Sequence, residues 1–284
     1  MATRLLGVSL NTADLARASD FYCQALGFAT VPAFSREALF AAHGYEVRAH
    51  SLRLGAQRIE LVAFDPPGAP MPPDSTAADL WSQHFAIVVD DIAGAAAAVE
   101  RHGAIAITRD GPQLLPKSSG GVTAYKFRDP EGHPLELIHF PDRRDAPGID
   151  HSAISVADAS RSLAFYRALG LQLRTRQLNQ GPEQDRLDGL SSVNVDVIGL
   201  FADMAPPHLE LLCYRKPRGR PRAAREGLRA IDDSRLLFEV DDIDLPLAAL
   251  EALGTTPAHR VEPGLRAAAM RDPDGHAIVI TERR

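Results

Sequence analysis

Arg128-Asp129-Pro130-Glu131-Gly132-His133 returns near the end of the chain as Arg271-Asp272-Pro273-Asp274-Gly275-His276. Asp-Pro-X-Gly is the signature of a tight turn, with proline at its favoured second position. In both places an alternating apolar strand pattern follows: Pro134-Leu135-Glu136-Leu137-Ile138 and Ala277-Ile278-Val279-Ile280-Thr281. A second pair of segments repeats in step with the first, Phe21-Tyr22-Cys23-Gln24-Ala25-Leu26-Gly27 and Phe165-Tyr166-Arg167-Ala168-Leu169-Gly170. Repetition at this distance marks a duplication. The chain therefore reads as two domains, 1–141 and 147–284. They are joined through Pro141-Asp142-Arg143-Arg144-Asp145-Ala146-Pro147-Gly148, a polar linker bounded by Pro and Gly.

Each half divides again. Four segments open with an alternating apolar strand that runs into an Asp: Gly7 to Asp14, His84 to Asp91, His151 to Asp158, and Arg235 to Asp242. An Asp there suits a helix N-cap, because its carboxylate can accept from the unpaired N–H groups of the first turn. Helical spacing follows, as in Leu15, Ala18, Phe21, Tyr22 and Ala25, or Leu163, Phe165, Tyr166 and Leu169. The second helix, from Ala93 to Val99, is mostly Ala and predicts close packing. Each segment closes on a strand, the other two being Arg58-Ile59-Glu60-Leu61-Val62 and His208-Leu209-Glu210-Leu211-Leu212. The expected class is α+β, mostly antiparallel, with helices on one face of the sheets.

Composition narrows the function classes. The chain has 284 residues, 45% apolar and 24% charged, with a formal net charge of −6. That balance suits a globular protein, and the acidic sign argues against a nucleic-acid partner. The basic run Arg215-Lys216-Pro217-Arg218-Gly219-Arg220-Pro221-Arg222 reads as a solvated loop. Two cysteines, Cys23 and Cys213, cannot build a disulfide framework and read as small buried apolar residues. No apolar stretch is long enough to span a membrane, and the first residues run directly into a strand pattern. The expected compartment is the cytoplasm.

Two positions of the repeat carry the chemistry. The first residue of the opening strand reads Gly7, His84, His151, Arg235 across the four copies. The middle residue of the closing strand reads Glu60, Glu136, Glu210, Val279. Side chains alternate along a strand, so each Glu faces away from the Leu and Ile on either side of it. A single Glu or His so placed is ordinarily a solvated or structural residue. Recurrence of both types at both places points instead to an N/O site for a divalent metal.

The opening strand ending in Asp, the Phe-Tyr…Leu-Gly helix end and the Asp-Pro-X-Gly-His…Glu-Leu close together resemble the vicinal oxygen chelate superfamily. That superfamily includes glyoxalase I, extradiol dioxygenases, fosfomycin-resistance proteins and bleomycin-binding proteins. The resemblance covers nearly the whole chain and implies four βαβββ modules paired into two cup-shaped sheets. It also implies one divalent ion, among Ni, Zn, Co, Mn and Fe(II), held by two His and two Glu in glyoxalase I-like members. Extradiol dioxygenases use two His and one Glu. Only copies two and three keep both ligand types. If they pair with each other, one cup holds His84, Glu136, His151 and Glu210, and the other holds Gly7, Glu60, Arg235 and Val279 and takes no metal.

The resemblance implies a metal-dependent lyase or isomerase acting through an enediolate-type anion, with Glu136 or Glu210 moving the proton. An Fe(II) dioxygenase is the alternative, and a non-catalytic binding protein is the third possibility. The partner expected is a small-molecule substrate, in a monomer or homodimer without nucleic acid or membrane. Substrate contacts are expected from two connections, Leu178 to Arg186 and Lys117 to Gly121. Asn179, Gln184, Arg186 and Lys117 are the candidates there, the two cations for an acidic substrate group.

Overall fold

The computed structural model describes residues 3–32, 45–142, 147–202, 206–221, 228–255, 259–260 and 266–283. The centre of the interdomain linker and Arg222 lie outside them. The modules run in chain order. The first holds β1 (Thr3–Asn11), α1 (Leu15–Leu26), β2 (Ala29–Val31), β3 (Glu46–Leu54) and β4 (Gln57–Asp65). The second holds β5 (Gln83–Val88), α2 (Ile92–Arg101), β6 (Ile105–Ala106), β7 (Gln113–Leu114), β8 (Thr123–Arg128) and β9 (Pro134–His139). The third holds β10 (Gly148–Ser155), α3 (Ala159–Ala168), β11 (Gln172–Gln180), α4 (Pro182–Leu187), β12 (Asn194–Phe201) and β13 (His208–Lys216). The fourth holds β14 (Arg235–Val240), α5 (Asp244–Ala252), β15 (His259–Arg260), β16 (Ala267–Arg271) and β17 (Ala277–Glu282).

The sheets cross the two halves of the chain. One runs β15-β16-β17-β14-β1-β4-β3-β2 and joins the fourth module to the first. The other runs β11-β12-β13-β10-β5-β9-β8-β6 and joins the third to the second, with β7 on β8. Within a module the opening and closing strands are parallel, and every other pairing is antiparallel. The apolar cores, in contrast, follow the halves. One packs α1 and α2 residues (Phe21, Tyr22, Val99) against strands of modules one and two. The other packs α3 and α5 residues (Phe165, Tyr166, Leu250) against strands of modules three and four. The two largest cores thus follow the halves except for Leu5 and Ile149, which each enter the other half's core. A smaller cluster of Val62, Phe64, Leu237 and Val279 bridges the halves, and each sheet draws on both.

The repeated motifs are the fastenings of these cores. Tyr22 Oη donates to Asp129 Oδ2 at 3.0 Å, and Tyr166 Oη donates to Asp272 Oδ2 at 3.0 Å. The Phe-Tyr helix of one module is therefore tied to the Asp-Pro turn of the next. In each turn the other Asp oxygen accepts from a backbone N–H of the His, at 2.9 Å for His133 and 2.9 Å for His276. Burial without a partner would be costly for each of these groups, and pairing them fixes the turn against the helix.

Asp14, Asp91 and Asp158 cap their helices by accepting first-turn N–H groups. The fourth copy departs from that pattern. Its cap is Ile243, and Asp242 instead accepts from the N–H of Asp244. Pro246 in the first turn has no N–H to be capped, so less depends on the cap there.

Three further expectations need correction. Cys23 and Cys213 are free thiols, only partly buried, at the edges of the two cores. The basic run begins as strand, since β13 extends to Lys216, and two of its arginines are neutralised. Arg215 makes a two-pronged contact with Asp196 at 2.7 Å and 2.7 Å, and Arg220 binds Asp79. Leu178 to Arg186 is no loop: β11 reaches Gln180 and α4 starts at Pro182, with Gly181 at φ 101° making the break. Among the described residues no helix is long and apolar enough to cross a membrane.

Candidate metal centre

β5 and β10 lie antiparallel at the middle of the second sheet, and β9 and β13 flank them. This brings His84, Glu136, His151 and Glu210 to one place from two halves of the chain. His84 Nε2 lies 3.0 Å from Glu136 Oε2. His151 Nε2 lies 4.0 Å from the same oxygen and 3.7 Å from Glu210 Oε2. The two imidazole rings are 5.9 Å apart, centre to centre, and cross at 72°. His84, Glu136 and His151 can each offer one donor atom within 4.8 Å of the others.

A bulge sets up the site. The register of β10 on β5 shifts between Ile149 and His151, so Asp150 is the extra residue. A regular strand would point Asp150 to the face opposite His151; the bulge re-aims it. Asp150 Oδ2 consequently lies 3.0 Å from His151 Nδ1. That contact holds a proton on Nδ1 and turns Nε2 toward Glu136 and Glu210, the orientation found in carboxylate–histidine–metal arrangements. His208, two residues before Glu210 on the same face of β13, lies 3.5 Å from Glu210 Oε1 and stacks on Phe201 at 4.2 Å.

The wall behind the cluster is a polar network. Lys126, opposite Glu136 in the β8–β9 register, donates from Nζ to Asp188 Oδ1 at 2.7 Å. Asp188 Oδ2 accepts from Tyr214 Oη at 3.0 Å and from Gln184 Nε2 at 2.8 Å. Lys126 is only 6% exposed, and burial would favour its neutral form. Asp188 and Glu136 outweigh that effect and hold it as a cation.

Charges follow from these contacts. Burial alone would raise the Glu136 pKa, but Lys126 and His84 draw it down to about 2. Glu210 is likewise opposed by burial and drawn down to about 2 by His151 and His208. Burial and Lys126 push His84 below its ordinary value, so its ring is neutral near pH 7. Burial acts the same way on His151, but Glu210, Asp150 and Glu136 overcome it and lift the ring to about 9.

These donors fit a divalent ion. Imidazole and carboxylate bonds of about 2.0–2.2 Å place neighbouring ligands roughly 3.0–3.5 Å apart in octahedral or tetrahedral shells. The observed separations of 3.0, 3.7 and 4.0 Å need only slight contraction. Glu136, Glu210 and Asp150 leave the pocket acidic, because Lys126 is already committed to Asp188.

Of the remaining candidates, Asn179 and Gln184 line the same cavity and are buried. Lys117 is exposed on a 3-10 turn, Lys117–Ser119. Arg186 turns to Gln113 Oε1 at 2.6 Å and does not line the cavity. Sequence reasoning missed Lys126, Asp150, Asp188, His208 and Tyr214. A two-residue period from Glu210 would have found His208; the bulge at Asp150 has no sequence signal of its own.

The first sheet repeats the arrangement without the chemistry. Strand register places Gly7 where the second sheet has His151, Arg235 where it has His84, and Val279 where it has Glu136. Leu6 replaces Asp150 at the matching bulge, and Ala269 replaces Lys126. Glu60 survives, buried, beside an apolar cluster of Val62, Phe64, Leu237 and Val279. Arg235, 1% exposed, donates to Asn11 Oδ1 at 2.7 Å and lies over the Phe64 ring.

Known structures share this fold. Glyoxalase I from Zea mays superposes with a TM-score of 0.67 at 19% identity, over 99% of this chain and 92% of that one. A putative dioxygenase from Bacillus subtilis gives 0.60 at 10% identity, over 99% and 85%. At such identities the likeness is one of fold alone. No curated protein matches the sequence. The model of one family matches twice, at residues 4–137 and 148–280. Nearly the whole chain is covered by that repeated match and by the modules it describes, and the chain belongs to the Glyoxalase/Bleomycin resistance protein/Dioxygenase superfamily.

Proposed function

We propose that the chain is a divalent-metal-dependent enzyme of the glyoxalase I-like kind, a lyase or isomerase acting on a small oxygenated metabolite. His84, Glu136, His151 and Glu210 would hold one ion of Ni, Zn, Co, Mn or Fe(II), which would supply Lewis acidity to an oxygenated substrate. The observation that carries the proposal is the unequal hold on the two carboxylates. Glu136 sits 3.0 Å from His84, and its side chain is 8% exposed. Glu210 comes no closer than 3.5 Å to its His partners, and its side chain is 20% exposed. Glu136 is the fixed ligand, and Glu210 is free to swing. It takes a proton from a substrate carbon beside a carbonyl and returns it to that carbon or the next. Asp150 fixes the His151 ring with Nε2 turned toward Glu136 and Glu210.

A second reading rests on the trio of His84, Glu136 and His151, whose donor atoms gather more closely than Glu210 joins them. Two His and one carboxylate on one side of an ion is the pattern of non-haem Fe(II) oxygenases. Metal analysis of the purified chain, with two assays, decides between them. The proposal expects one equivalent of metal and solvent-deuterium exchange into an α-hydroxycarbonyl probe, lost in Glu210→Gln. O₂ uptake on catechol with bound iron would replace it by the dioxygenase. Ligand binding with no metal uptake would leave a binding protein.

A further inference from the structure

The amide of Gln184 cannot be turned over. Asp188 is a carboxylate and only accepts, and its Oδ2 takes the Gln184 Nε2–H at 2.8 Å. Gln184 Oε1 must therefore face the other way. Gln184 is 4% exposed, and Oε1 is a buried acceptor with no hydrogen-bond partner. Asn179, 6% exposed and on the neighbouring β11, has a buried Oδ1 in the same condition. Both residues line the cavity that holds Glu136, His151 and Glu210. Two buried acceptors without donors are each costly to maintain, and a site that keeps them gains from a ligand that supplies the hydrogen.

We propose that Gln184 Oε1, with Asn179 Oδ1 as the alternative acceptor on the same lining, forms a subsite for the single hydrogen of a substrate hydroxyl, so that the substrate is a small neutral hydroxylated carbonyl compound. The inference rests on the metal-enzyme proposal for where the substrate's other end lies. Charge decides against other groups. A carboxylate would face two amide oxygens as well as Glu136 and Glu210, and the cation on that wall, Lys126, is neutralised by Asp188 at 2.7 Å. An ammonium would find no free carboxylate on that wall, since Asp188 is taken by Lys126, Tyr214 and Gln184, and Glu136 and Glu210 are the metal donors of the proposal. Leu115, Val122, Leu187 and Val195 are apolar, and the remaining polar lining, Ser119, Gln177 and Tyr214, carries no charge to match an ionic substrate group. Arg186 and Lys117, the groups that could have held an acidic substrate, lie away from the cavity.

The test uses three probes: hydroxyacetone, dihydroxyacetone, which adds one hydroxyl, and hydroxypyruvate, which puts a carboxylate there. Each is titrated into the full chain, Co²⁺-loaded and metal-free, with metal content measured separately. Dihydroxyacetone should bind about tenfold more tightly than hydroxyacetone, the worth of one well-made hydrogen bond to a buried acceptor. Hydroxypyruvate should be the weakest. Gln184→Met should bring the ratio towards one without changing metal content. If that variant fails to fold, Asn179→Ala carries the same expectation. A ratio of one in the unaltered protein, tightest binding of hydroxypyruvate, or a ratio that survives both substitutions overturns the subsite. If no metal is taken up, the metal-enzyme proposal falls by itself. The subsite then stands only if the metal-free protein keeps the ratio, and falls with it otherwise.

Discussion

Metal uptake by this site should expel close to one proton at pH 7. The perturbation is the binding itself, because a metal at His151 Nε2 displaces whatever proton is there. His151 is held at about 9 by Glu210, Asp150 and Glu136 against the opposing effect of burial. With that value about 99% of the rings are protonated at pH 7. His84 is pushed the other way by burial and Lys126, so it gives up less than an ordinary imidazole would. Two imidazoles at the ordinary value of about 6.5 would together release only about half a proton. Observed affinity should therefore fall by a slope approaching tenfold per pH unit well below 9, about fiftyfold in all between pH 9 and 7. Calorimetric titration in two buffers of different ionisation enthalpy counts the proton. The sign for stability follows from the same value. A raised pKa stabilises the metal-free fold fully below the unfolded value and loses that stabilisation as pH rises through about 9. Release of half a proton or less, or of two, would refute the assignment of opposite shifts to the two rings.

Other consequences are as direct. His84→Ala and His151→Ala should each lower metal affinity by more than tenfold, and the double variant should lose much less than the sum, since the two rings share one ion; additive losses in equilibrium dialysis would place them on separate sites. Tyr22→Phe removes a buried hydrogen bond to Asp129 and should cost about 1.5–3 kcal/mol in urea unfolding, with Tyr166→Phe costing a similar amount through Asp272. Metal content should be one equivalent per chain and unchanged in Glu60→Ala. Adding Gly7→His, Arg235→His and Val279→Glu should not create a second site, because a Cβ at Gly7 would lie 1.9 Å from the Arg58 carbonyl oxygen with φ at +150°; a second bound equivalent would contradict this.

The modules were legible because their signals are local. Asp-Pro-X-Gly turns, Asp caps and two-residue alternation each depend on a few adjacent residues. The meeting of His84 with His151 was legible through the uneven loss of His and Glu among copies, which suggested that copies two and three pair. What stayed hidden depends on backbone irregularity or on distant partners. Asp150 joins the site only because a bulge turns it. Lys126 and Asp188 are 62 positions apart and look like ordinary surface charges in the sequence. Leu178 to Arg186 read as a connection because Gly181 and Pro182 are turn residues; the same pair also ends a strand and starts a helix.

The crossed sheets bear on how one cup could lose its ligands. Were the two halves separate identical chains, a two-fold axis would make both cups equal, and any substitution at a ligand position would strike both at once. Joining the halves removes that constraint. A change at Gly7 or Arg235 touches one cup, and a change at His84 or His151 touches the other. Fusion turned an obligate symmetry into two sites that can be selected independently. One carries the His and Glu set, while the other carries Gly7, Arg235 and Val279 at the matching places, with Glu60 buried beside apolar side chains.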